Sequence, residues 1–127
     1  MNMGSRKYAV NSYKSGAASE IDGASPHRLI QMLYEGGLQK IAVAKGAIQR
    51  NEIATKGENI SRAIAILGGL RSSLDLSQGD IAVNLDNLYE YMERRLLEAN
   101  IKNDEEILDE VSSLLRDVKS AWDAISV

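Results

Sequence analysis

The chain has no cysteine and no phenylalanine, and only one proline, one histidine and one tryptophan in 127 residues. Without cysteine there is no disulfide and no thiolate metal site, and a single His27 cannot supply the paired Glu-x-x-His motifs of a di-iron bundle. Basic charge is not in excess either. A net charge of -3 argues against a general affinity for nucleic acid or for anionic lipid. No apolar run approaches the roughly 18 residues of a membrane span, and the opening MNMGSRKYAV lacks the apolar stretch of a signal peptide. These absences point to a cytoplasmic chain that does not insert in membranes. No phosphate-cradling glycine loop follows a strand, and no nucleophile stands with a base, so the sequence predicts no enzyme, no cofactor and no small-molecule substrate.

What is present is helical. The composition is 44% hydrophobic and 26% charged, as in a single globular domain, and its core has to be built from Leu, Ile, Val, Ala, Met and a few Tyr, a mixture that favours helices. Residues 1–24 show no sustained period and read as an N-terminal arm carrying Tyr8 and Tyr13. Residues 25–127 read as a bundle. Ser25-Pro26 is a helix start, because a serine N-cap accepts orphan amides while proline at the first position gives up no needed donor. A first stripe then runs Ile30, Leu33, Tyr34, Gly37, Ile41, Ala44 and Ile48 in steps of three and four. After a polar connection over Gln49 to Lys56, a second stripe runs Ile60, Ala63, Ile64, Leu67, Leu70 and Leu74, ended by Asp75 to Gly79. The third runs Ile81, Leu85, Leu88, Met92, Leu96 and Ala99, with a link at Asn100 to Asn103. Asp104 caps a fourth through Ile107, Val111, Leu114, Val118, Ala121 and Ile125, with Glu105 and Glu106 placed well against the helix dipole. The fold expected is all-α: an antiparallel four-helix bundle with a short N-terminal arm.

Two features do not follow from a plain bundle. Glycine doublets at Gly36-Gly37 and Gly68-Gly69 interrupt strong helices, at about 1 kcal/mol per glycine; they read as points of close backbone approach, to a bundle helix or to a bound partner. The helices also carry apolar residues beside their main stripes: Ala65, Ile66 and Gly69; Ala82, Tyr89, Tyr91 and Leu97; Leu108, Leu115 and Trp122. A wider core accounts for some. Open grooves for a partner's amphipathic helices account for the others. Tyr8 and Tyr13 either cover such a groove or simply anchor the terminus. His27, beside Pro26 in the first turn, reads as a solvated residue in preference to a phosphorylated one, and the acids from Asp104 to Glu110 read as a cap and a solvated face.

The blocks YAVNSY, SPHRLIQMLYEGG, SRAIAILGGLRSSLD, GDIAVNLDNLYEYMERRLLEAN and LRDVKSAW, in this order over nearly the whole chain, resemble the FliS family of flagellar secretion chaperones. The resemblance implies a non-enzymatic cytoplasmic export chaperone without a cofactor. Such a chaperone binds the disordered C-terminal region of flagellin, blocks premature polymerisation and helps present flagellin to the flagellar type III export gate. It also implies that an N-terminal segment matching Tyr8, Asn11 and Tyr13 covers part of the client surface. Matching blocks make Ile60, Ala63, Ile64, Leu67, Leu70, Leu85, Leu88, Tyr89 and Met92 candidate groove residues. The family commonly has Gly-Ala where this chain has Gly36-Gly37.

Overall fold

The computed structural model describes residues 23–125, which form four α-helices and one short 3-10 turn, with no strand among them. Helix α1 (Pro26–Gln49) starts as its sequence dictates: Ser25 is extended, and its hydroxyl accepts the Arg28 amide at 3.1 Å. It is followed by α2 (Ile53–Ser72), the 3-10 turn Leu76–Gln78, α3 (Asp80–Lys102) and α4 (Glu105–Asp123). The Asp104 carboxylate accepts the amides of Glu106 at 2.9 Å and Ile107 at 3.3 Å, which caps α4.

The connections are tighter than the periodicity implies. Gln49 to Lys56 is expected to be a link, but Asn51 adopts a left-handed φ of 56° and reverses the chain within Arg50, Asn51 and Glu52. Lys56 therefore lies inside α2 and is buried. In the same way, left-handed Asn103, at φ 53°, ends α3 only after Lys102 and shortens the expected link at Asn100 to Asn103. In the other direction, α2 stops at Ser72, short of Leu74. The hydroxyls of Ser72 and Ser73 donate back to the Gly69 and Leu70 carbonyls, competing with continued helix. The apolar repeat of α4 reaches Ile125 in sequence, but the helix ends at Asp123 and Ile125 is exposed.

Each helix packs on its neighbours in chain order and α1 also packs on α4, so the four close into a ring. Polar links fix their directions. The first turn of α1 meets the last turn of α4 through His27 and Trp122, while Lys45 and Gln49 near its end reach Asp109 and Glu105 at the start of α4. Lys56 reaches Asn100, and Arg71 reaches Asp86, so α2 and α3 are antiparallel too. Inside the ring, Leu33, Ile41, Ile60, Leu67, Met92, Leu96, Leu108, Val111 and Leu115 share one core. Each such side chain contributes about 1.5–3 kcal/mol by leaving water. Across the diagonal, the hydroxyls of Tyr34 and Tyr89 meet at 2.6 Å.

Gly37 settles one question raised by the sequence. A Cβ built on it lies 3.1 Å from Leu115 Cδ2 and 3.6 Å from Ile66 Cγ2, so the missing side chain makes room for α4 and α2. The close approach at Gly37 is to the core. Gly36, Gly68 and Gly69 are buried as well.

Candidate functional site

The apolar candidates of α2 and α3 fall into two groups. Ile60, Ala63, Leu67, Leu70, Tyr89 and Met92 point into the ring and are buried. Ile64, Leu85 and Leu88 are only half-buried, packed against the rim of that core. The antiparallel register set by Arg71 and Asp86 places Leu85 and Leu88 level with the last turn of α2. Toward the start of α3 the burial fades: Ile81 is 78% exposed although it continues the inward stripe, and Leu76 and Val83 beside it are exposed too. The sequence placed Ile81 in the seam; it protrudes because α2 has already ended and offers no opposing turn. Tyr8, Asn11 and Tyr13 lie outside the described residues.

Of the apolar residues beside the main stripes, Ile66, Gly69, Leu108 and Leu115 are core, which makes the core wider than one stripe per helix. Tyr91 donates its hydroxyl to Glu110 at 2.6 Å, and Leu97 is exposed. The Tyr91 hydroxyl and then Arg95 hold the Glu110 carboxyl below its usual range.

Polar residues that the periodicity did not single out organise the α2–α3 face. Arg71 donates through Nε to Asp86 Oδ1 at 2.8 Å and through Nη1 to Glu93 Oε2 at 3.0 Å, and all three side chains are largely buried. The bond to Asp86 raises the Arg71 pKa further. At the other end, Lys56 Nζ donates to the Asn100 carbonyl at 2.9 Å and to Asn103 Oδ1, where a cation meets the free carbonyls of a helix end. Both were detectable in principle: Lys56 and Arg71 each stand four residues from a stripe member, Ile60 or Leu67, and a charge on a stripe position needs a partner.

His27 is not the solvated residue its position suggests. Its ring stacks on Trp122 with centroids 4.9 Å apart, and its Nε2 is 2.8 Å from the Trp122 carbonyl. A carbonyl only accepts, so Nε2 carries the hydrogen. Among the described residues no group of three or more His, Asp or Glu side chains gathers to hold a metal ion, and no helix is long and apolar enough to cross a membrane.

In class, then, the described chain is an all-α bundle with a half-covered apolar stripe along α2–α3 and its inward polar groups tied up in caps and interhelical bonds. Residues 9–127 match the family described as flagellar protein FliS. A Pseudomonas aeruginosa protein named flagellar secretion chaperone FliSB is 55% identical over 109 residues, covering 85% of this chain and 86% of that protein. The flagellar secretion chaperones FliS of Vibrio cholerae and Salmonella typhimurium are 41% and 42% identical, over 92% and 97% of this chain and 88% and 90% of theirs. The chain belongs to the FliS family, a family of chaperones and not an enzyme class.

Proposed function

We propose that this protein is a flagellar secretion chaperone that binds the C-terminal region of flagellin in the cytoplasm, keeps it from polymerising and assists its delivery to the flagellar type III export apparatus. The observation that carries the reading is the family match over residues 9–127. The half-buried stripe of Ile64, Leu85 and Leu88 supports it, since an unfolded amphipathic segment gains about 25 cal/mol per Å2 of apolar area it buries there. Wrapping a long segment offsets the entropy lost when that segment orders, and a masked segment is withheld from filament contacts. What the resemblance implies for the arm belongs to the same proposal: Tyr8, Asn11 and Tyr13 would cover part of this face until the client displaces them. Co-purification with full-length flagellin, lost when the C-terminal region of flagellin is deleted, is the result expected. Equal binding to the truncated flagellin would overturn the reading.

A further inference from the structure

The first turns of α3 are seated differently from the rest of that helix. No apolar side chain from Leu74 through Leu88 is fully buried, whereas those of Tyr89, Met92, Leu96 and Ala99 further along α3 all are. The segment is preceded by Gly79 at φ 106°, a conformation that glycine adopts without strain and that lets the chain pivot. Apolar contact over Asp80 to Leu88 comes from half-buried Leu85 and Leu88, while Ile81 and Val83 are exposed.

Among the described residues, the one polar side-chain link from this segment to another helix is the ion pair of Asp86 with Arg71, in which Nε donates to Oδ1 at 2.8 Å and Nη2 to Oδ2 at 3.4 Å. Arg71 also holds Glu93, which stands between buried Met92 and Leu96 on the firmly packed part of α3. One guanidinium thus spans the firm and the loose parts. It stays anchored on Glu93 when Asp86 lets go.

We infer that Arg71 and Asp86 form an ionic latch on residues 80–88, and that the segment opens about Gly79 to uncover Leu85 and Leu88 for the client. The second half rests on the function proposed above; the first does not. Opening breaks one forked ion pair and the rim contacts of two half-buried leucines, so it needs far less free energy than unfolding the bundle.

Hydrogen exchange on the full chain, without client, tests the latch. In Asp86→Asn, amides of residues 80–88 should exchange about tenfold faster or more, the effect of losing a charge-assisted bond, while 89–102 are unchanged. Arg71→Lys, which keeps the charge but not the fork, should fall between wild type and Asp86→Asn. Unchanged exchange in Asp86→Asn, or an equal rise along all of α3, overturns the latch. A flagellin C-terminal peptide then tests the coupling: its association should be faster with Asp86→Asn, and an unchanged rate despite faster local exchange overturns the opening as a step in capture. If the wild type does not bind the peptide at all, the proposed client fails while the exchange result stands on its own.

Discussion

His27 and Trp122, 95 residues apart in sequence, hold each other at both ends of their side chains: the Trp122 indole N–H donates to the His27 carbonyl at 3.0 Å while His27 Nε2 donates to the Trp122 carbonyl at 2.8 Å. The two rings stack between these bonds. This clasp joins the first turn of α1 to the last turn of α4, where both helices would otherwise fray. Trp122→Ala is expected to lower stability by about 2 kcal/mol, less than for a fully buried tryptophan, measured as a lower urea midpoint. His27 phosphorylation by a histidine kinase is not expected, and phosphate incorporation abolished by His27→Ala would restore the phosphotransfer reading.

Tyr34 and Tyr89 put two phenols in the middle of an apolar core, bonded to each other. Removing one hydroxyl leaves its partner buried and unpaired, so Tyr34→Phe and Tyr89→Phe should each cost about 1–2 kcal/mol, and the double variant less than their sum. Burial raises both pKa values, that of Tyr89 far above the ordinary range. The unfolded phenols ionise near pH 10 while the folded ones keep their protons, so the unfolded state binds fewer protons above that pH. The stability from this pair is fully present below about pH 10 and is lost as pH rises further. Denaturation at pH 9 and at higher pH checks this, and the double Phe variant should show a shallower loss.

Gly37 separates packing from partner contact. Gly37→Ala gains about 1 kcal/mol of helix propensity and must push Leu115 Cδ2 back by a few tenths of an ångström, so a small net change is expected. Gly37→Leu should destabilise by about 1–3 kcal/mol or more by overpacking, seen as a lower Tm. Normal stability in Gly37→Leu with lost flagellin binding would place the glycine at the client surface instead.

The same contrast separates core from rim among the α2–α3 candidates. Leu67→Ala, at a fully buried position, should cost about 2–5 kcal/mol of stability. Ile64→Ala and Leu88→Ala are expected to cost less stability and to weaken flagellin binding by about tenfold each, as peripheral anchors do. Titration calorimetry alongside urea denaturation distinguishes the two patterns.

Deleting residues 1–20 tests the arm. If Tyr8, Asn11 and Tyr13 cover the client face, the shortened chain should bind the flagellin C-terminal region faster and at least as tightly. Weaker binding would make the arm a direct anchor.

Lys56 and Arg71 show where reading the sequence stops. Both stand on α2 stripe positions, so their need for partners is legible, yet their partners Asn100, Asn103, Asp86 and Glu93 are 15 to 47 residues away and are fixed only by the antiparallel register. The links are shorter than their polar composition suggests for a related reason. Polar residues such as Asn51 and Asn103 mark a turn by composition, but a left-handed backbone lets one of them do the work of several.

The sequence by itself determined four helices, their start signals at Ser25 and Asp104, the inward stripes and the family, because periodicity and caps are local and the matching blocks run along the chain. Only the tertiary structure decided that Gly37 serves the core, that Ile60 and Met92 are interior while Ile64 and Leu88 sit at the rim, and that His27 is clasped. A stripe records that a side chain avoids water. Whether a helix of the same chain or a bound partner provides the shelter depends on where the neighbouring helices end, as exposed Ile81 shows.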